Sequence, residues 1–354
     1  MFRMLWTGEY NQEWEQKFNQ VVEVKRAGFN IHNQFRHWMS EEEVIEALKG
    51  IDIFFVGYDP ITEKVLEASP DLKLILSERD GPEENIDLEA CRRHGVPVLN
   101  SAGRCTVSVA ELTMCLIMNM ARPVIEINRI IHDDTWNKDN YQHLRDVVEA
   151  NAFELYRKTL GIVGLGRNGQ YFAKLATGFG MRVIGYDPYV DPQKMETMGI
   201  ELLPLDEVMK QSDYVSVLAR ATENNRHLVG EKQIAMMKPT AALVNTSRPQ
   251  LVDYDALIRA LDSEKLRMAA VDVFAPEPLP ASSAFYRLPR HKVILTNHMA
   301  GFCQERAWHQ YDKGMDNLLK FLRGDCMNCN CTPGVEKSAE FANRGGLLYG
   351  VKKC

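Results

Sequence analysis

The sequence predicts an α/β protein whose two parts are each wound on a parallel β-sheet. Three observations carry that prediction. Short apolar segments alternate with segments of helical periodicity from the first residue onward, the order that a parallel sheet with crossover helices produces. Several apolar segments, residues 51–56 and 72–76 among them, are nearly continuous, as strands covered on both faces are. A second strand–helix series starts at Thr159, and 354 residues provide for about two domains of ordinary size.

Taken in order, residues 1–6 read as a strand and 11–25 as a polar-rich helix. Phe29-Asn30-Ile31 reads as a short strand. Ser40 and Glu43 make a capping box that opens a helix to about residue 49. Strands at 51–56 and 72–76 flank a short helix over 62–68. Residues 106–121 form a helix too apolar for a one-faced surface helix, so burial between domains or subunits is expected. A polar connector is expected over 132–151. In the second series, strands read at 159–163, 182–186, 214–218, 242–245, 268–273 and 293–296. A proline-rich loop covers 275–291, and 305–322 is helical again, with Gly324 as its stop. Residues 325–354 are weakly patterned and read as a mobile or loosely docked tail.

Composition excludes several classes of function. The net charge is −6 and the signs are mixed, with no basic stripe to meet a nucleic acid. Residues 1–6 run straight into polar Thr7-Gly8-Glu9, which leaves no room for a signal-peptide core, and no apolar run reaches the ~18 residues of a membrane span. A cytoplasmic protein with no membrane partner is expected, and most of its eight cysteines read as free thiols. Cys326, Cys329 and Cys331 have the spacing C-x2-C-x-C, and Cys354 offers a fourth thiol. No histidine lies nearby, so the favoured reading is unligated thiols and no metal.

Gly164-Leu165-Gly166-Arg167-Asn168-Gly169 is G-x-G-x-x-G, set between an apolar strand and a helix. The next strand ends in Asp187, 18 residues after the last glycine. In that context the glycines let the backbone approach a pyrophosphate seated on the helix N-terminus, with Arg167 and Asn168 in the same turn. Asp187 is placed to accept from a ribose diol and to repel a 2′-phosphate, which favours NAD over NADP.

Three chemically complementary residues each follow a strand of the second series. Arg248 closes Val244-Asn245-Thr246-Ser247-Arg248, Glu277 follows Val271-Asp272-Val273, and His298 ends the last strand. A ketone reduced to an alkoxide needs a proton, which a histidine gives and takes near neutrality. A carboxylate orients that imidazole, and an arginine binds a carboxylate bidentately. Singly, these residues read as a core histidine, a loop acid and a helix-end ion pair. Their joint position beyond a dinucleotide fold points to catalysis.

The motif order resembles the D-isomer-specific 2-hydroxyacid dehydrogenase family over roughly residues 50–324. The matching stretches include Asn85-Ile86-Asp87, Asn100-Ser101-Ala102-Gly103, Val109-Ala110-Glu111, Asn297-His298-Met299-Ala300-Gly301 and the nucleotide, arginine and glutamate motifs. The resemblance implies two Rossmann-like domains. A discontinuous, flavodoxin-like substrate domain (1–121 with 300–324) would surround a continuous NAD-binding domain (122–299). It implies Arg248, Glu277 and His298 as catalytic residues, Thr246 and Asp272 beside the cofactor, and Arg79, Asp80 and Gly81 with Arg248 on the substrate side. It also implies a small 2-keto or 2-hydroxy acid as substrate and a homodimer joined through the NAD-binding domains. Pro249 and Asn297 depart from the pattern. Pro249 biases Arg248 toward extended backbone. The acids around Arg79 disfavour a phosphate ester if they face the cleft. An NAD-sensing regulator or corepressor on the same fold is the alternative from another class, and a phosphite-type dehydrogenase is a third reading.

Overall fold

The computed structural model describes residues 1–28, 38–134, 136, 139, 141–325 and 330–344. The chain divides into two compact units, Met1–Arg104 with Cys303–Cys354, and Cys105–Phe302. The sequence placed the crossings after residue 121 and before residue 300. They differ because the helix Thr106–Ala121 buries Val109, Ala110, Met114 and Ile117 in one core with Leu160, Ile162 and Phe172 of the second unit.

The first unit has a five-stranded parallel sheet: β1 Arg3–Trp6, β2 Glu23–Arg26, β3 Ile53–Val56, β4 Leu74–Ser77 and β5 Val98–Asn100. Their order is β2-β1-β3-β4-β5, the flavodoxin-like order. All four residues of β3 and of β4 are buried, which explains their unbroken apolar sequence. The helix Glu41–Ala47 starts at the expected capping box of Ser40 and Glu43. The helix Glu305–Arg323 ends where Gly324 adopts the left-handed conformation, and Gly324 N–H caps the last turn.

Three expectations are corrected in this unit and the next. The first helix stops at Asn19 rather than residue 25, and Glu23–Arg26 form edge strand β2, where Val24 pairs with Met4. The strand expected at residues 29–31 lies outside the described residues. The polar connector is largely helical, with helices Val124–Asp134 and Tyr141–Asn151 in the second unit. Finally, residues 330–344 are a docked strap rather than a loose tail. Asn330 bridges Leu99 antiparallel, Cys331 N donates to Val98 O (2.8 Å), and Val98 N donates to Thr332 Oγ1 (3.0 Å). Phe341 is fully buried, and Arg344 donates to the carbonyls of His94 (2.6 Å), Ser69 (2.9 Å) and Leu72 (2.9 Å). The strap covers the exposed edge of β5, which an open sheet needs protected.

The second unit has seven parallel strands: β6 Thr159–Val163, β7 Arg182–Tyr186, β8 Ile200–Leu202, β9 Tyr214–Val217, β10 Ala242–Asn245, β11 Met268–Val271 and β12 Val293–Leu295. The order is β12-β11-β10-β9-β6-β7-β8. Strand order reverses at β6, between β7 and β9, which puts the crevice for a dinucleotide beyond the end of β6. Among the described residues no single helix is long and apolar enough to cross a membrane.

Candidate active site

The glycine turn follows β6 directly, and the helix Arg167–Gly178 opens at Gly166. Gly164 has φ +101, and a Cβ there would collide with the backbone of Ala219. A Cβ at Gly169 would strike the carbonyl of Gly164, whereas at Gly166 nothing stands within 4 Å. So two glycines allow the turn and the third leaves open space over an N-terminus with no side-chain cap. That cradle fits a pyrophosphate, because uncapped N–H groups and the helix dipole both favour an anion. Asp187 ends β7; its Oδ2 accepts from Leu165 N (2.8 Å) and its Oδ1 from Tyr189 N (2.9 Å). The half-buried carboxylate is thus held beside the turn with acceptor sites remaining for a diol. Arg167 is exposed, and Asn168 Oδ1 accepts from Thr106 Oγ1 (2.9 Å).

Beyond β11 and β12 the structure brings Glu277 and His298 together. His298 Nδ1 lies 2.8 Å from Glu277 Oε2, and Glu277 Oε1 accepts from Phe274 N at 2.8 Å. Partial burial pushes the Glu277 carboxyl up. The hydrogen bonds from His298 and Phe274 N, with the charges of His298 and Arg248, outweigh it and hold the group below the usual carboxylate range. Glu277 is therefore ionised at neutral pH, and Nδ1 carries the proton toward it. The Nε2 atom is left to exchange protons with a ligand.

His298 sits at φ +55, in the left-handed region that a non-glycine residue adopts only when its surroundings enforce it. Asp272 enforces it. Its carbonyl accepts from His298 N (2.7 Å), and its carboxylate accepts from Thr296 Oγ1 (2.5 Å), Met299 N (2.9 Å) and Ala300 N (3.0 Å). Asp272 is fully buried. The side chain, expected beside the cofactor, faces inward and clamps the His298 turn. Thr246, also expected beside the cofactor, is buried with its hydroxyl 2.8 Å from that of Thr113.

Arg248 is extended at φ −140, ψ 143, as the following proline requires, and its exposed side chain donates from Nη1 to Ser247 O (2.9 Å). Two residues without a place in the sequence reading hold this turn. Asn245 donates from Nδ2 to Arg248 O (3.0 Å) and to Tyr254 Oη (2.9 Å), and Tyr254 Oη donates to Val273 O (2.7 Å). Burial pushes the Tyr254 phenol up, so it stays protonated as this donor. The ends of β10 and β11, and thus Arg248 and Glu277, are tied through one hydroxyl.

In the first unit, Arg79, Asp80 and Gly81 form the turn after β4. Asp80 Oδ1 accepts from Gly103 N (3.0 Å), Asn100 Nδ2 donates to Asp80 O (2.6 Å), and Arg79 pairs with Glu84. Cys326, Cys329 and Cys354 lie outside the described residues. Among the described residues no three His, Cys, Asp or Glu side chains converge to hold a metal ion.

A family model described as "D-isomer specific 2-hydroxyacid dehydrogenase, NAD binding domain" matches residues 114–300. The chain belongs to this family. NAD is the cofactor of the domain, in agreement with the cradle and the acid at Asp187. Among curated relatives, the glyoxylate reductase of Korarchaeum cryptofilum is 34% identical over 287 residues, covering 81% of this chain and 84% of the relative. The D-3-phosphoglycerate dehydrogenase of Methanocaldococcus jannaschii is 36% identical over 289 residues, and this chain spans only 53% of its length. The solved apo form of Rhodotorula graminis D-mandelate dehydrogenase matches with TM-score 0.79 at 26% identity, covering 93% of this chain and 97% of that one.

Proposed function

We propose that the protein interconverts a 2-keto acid and a D-2-hydroxy acid with NAD. The observation that carries this reading is the His298–Glu277 pair, 2.8 Å apart beyond the ends of β11 and β12, in the sheet whose β6 carries the glycine turn. Gly164, Gly166 and Gly169 would hold the pyrophosphate and Asp187 the ribose. When bound, the nicotinamide supplies the hydride that reduces the keto carbon and takes it back in the reverse direction. His298 Nε2 delivers the proton to the keto oxygen as negative charge builds there. Glu277 keeps the ring oriented and stabilises its charged form. Arg248 offers a forked donor to the substrate carboxylate and the adjacent carbonyl, a geometry that lysine cannot supply. Arg79, Asp80 and Gly81 of the first unit are the further residues proposed to bind substrate. Steady-state NADH consumption with a panel of 2-keto acids tests the reading, and His298→Ala and Arg248→Ala should each abolish most of it.

The same reading includes a homodimer. The helices Thr106–Ala121 and Val124–Asp134 border an open apolar groove of about 810 Å³ lined by Met114, Met118, Val124, Ile127, Ile131 and Phe179. Val124 and Ile125 are more than half exposed. A contiguous apolar surface of this kind marks an association site, and a second copy of the chain is its proposed occupant. Mass measurement by light scattering distinguishes dimer from monomer.

A further inference from the structure

The exposed side chain of Arg248 donates to the carbonyl of its neighbour Ser247, so its aim follows the backbone of that turn. The turn hangs on Asn245, which is fully buried. Asn245 Oδ1 accepts from Ser247 N (3.1 Å), and one N–H of Nδ2 donates to Arg248 O (3.0 Å). The second N–H donates to Tyr254 Oη (2.9 Å), which gives its own proton to Val273 O (2.7 Å). The directions are fixed, because a phenol has one proton to give, a carbonyl only accepts and an amide NH2 only donates.

The chain of bonds continues past Val273. Its C=O and the N–H of Phe274 belong to one planar peptide group, and Phe274 N donates to Glu277 Oε1 (2.8 Å). Glu277 Oε2 in turn lies 2.8 Å from His298 Nδ1. A hydrogen bond to a peptide carbonyl polarises the group and strengthens its N–H as a donor. The Tyr254 hydroxyl thus acts on Glu277 through one peptide and on Arg248 through one side-chain amide. Burial, aided by the negative charges of Glu277 and Asp272, keeps the phenol protonated for this task. Packing alone does not account for the hydroxyl. The ring meets Phe285 edge-on, with centroids 5.3 Å apart, and lies 6.5 Å from Phe274, contacts that a phenylalanine would make as well.

We propose that Tyr254 is a positioning residue for the reaction, whose hydroxyl holds Arg248 and the Glu277–His298 pair as one rigid assembly. This rests on the dehydrogenase reading above. Tyr254 acts through Asn245 on one side and through the Val273–Phe274 peptide on the other.

The test is Tyr254→Phe, made alone and combined with Arg248→Lys and with Glu277→Gln. With NADH and the best 2-keto acid of a panel, Tyr254→Phe should lower kcat/KM about tenfold, the fold-change of one or two neutral hydrogen bonds. The KM for NADH should stay within about twofold of wild type. Oxamate, an unreactive mimic of a 2-keto acid, should bind the NADH complex severalfold more weakly in Tyr254→Phe. That loss should vanish in the Arg248→Lys background, where the fork it aims is gone. Likewise kcat should fall severalfold in Tyr254→Phe, but by less than about twofold when the change is added to Glu277→Gln. If Tyr254→Phe does not fold, Asn245→Ala, which cuts the chain of bonds from the other end, should give the same pattern. An active enzyme in which Tyr254→Phe leaves kcat/KM within about twofold of wild type, or costs the same in all three backgrounds, overturns the positioning role and leaves the dehydrogenase reading intact. A wild type inert to every 2-keto acid overturns both.

Discussion

Asp272→Asn is the substitution that most sharply separates a clamp from a cofactor contact. The wild-type carboxylate is fully buried and accepts three hydrogen bonds, from Thr296 Oγ1, Met299 N and Ala300 N. An asparagine of the same shape replaces one acceptor oxygen with an NH2 group, so at least one of those donors faces another donor. Losing a charge-assisted bond and stranding a buried N–H costs about 2–4 kcal/mol. The clamp also offsets the left-handed backbone of His298, itself a cost of about 1–3 kcal/mol. Once the clamp weakens, that turn relaxes and Nε2 leaves its position. A displacement near 1 Å lowers a rate by about 100-fold. Urea unfolding should show the stability loss, and steady-state kinetics should show kcat reduced by about 10- to 100-fold with NADH affinity nearly unchanged. Stability within 0.5 kcal/mol and kcat within about twofold of wild type would refute the clamp. A loss confined to NADH affinity would make Asp272 a cofactor contact instead.

Four further outcomes are expected. Glu78 is fully buried at the end of β4, where it accepts from Trp6 Nε1 (3.0 Å), and burial pushes its carboxyl up to about 7. A raised acid binds its proton more tightly in the folded state, so stability falls as pH rises from about 4.5 to 7, by ~3 kcal/mol. Urea unfolding at pH 5 and pH 7.5 should show that slope in wild type and a flatter one in Glu78→Gln; equal slopes contradict it. Phe341→Ala should destabilise the first unit by about 3–5 kcal/mol, because the strap's buried anchor is lost; a melting temperature equal to wild type would show the strap to be dispensable. Asp187→Ala should raise KM for NADH severalfold and narrow the preference over NADPH, which parallel titrations with both cofactors measure. Pro249→Gly should cost about 1 kcal/mol or less, since Arg248 already has extended backbone, and should raise KM for the keto acid modestly; unchanged KM would show that the proline plays no part in aiming the guanidinium.

The cradle was readable because its information is local: the glycines, the helix they open and the acid at the next strand end lie within 24 residues. The pairing of Glu277 with His298 was readable for a related reason, since adjacent strands β11 and β12 deliver both to the same edge. What the sequence hid was the support behind these groups. Asp272 reaches Met299 and Ala300 across 27 and 28 residues, and no spacing rule announces that its carboxylate turns inward. Asn245 and Tyr254 look like a strand end and an ordinary helix residue until their hydrogen bonds are seen. Strand β2 escaped because Glu23, Val24, Lys25 and Arg26 suit a polar helix as well as an edge strand, and only pairing with β1 decides. The strap escaped because its anchors, Thr332, Phe341 and Arg344, follow no period.

The central claim is that His298 moves the proton while Glu277 and the Asp272 clamp hold it in place. Its most direct measurement is the rate of NADH oxidation with the best 2-keto acid of a panel, in wild type and His298→Ala, with the cofactor saturating. The account predicts turnover by wild type, a D-2-hydroxy acid as product, and a rate about 100- to 10,000-fold lower in the variant. A variant that turns over at the wild-type rate, or a wild type inert to every 2-keto acid, would contradict it.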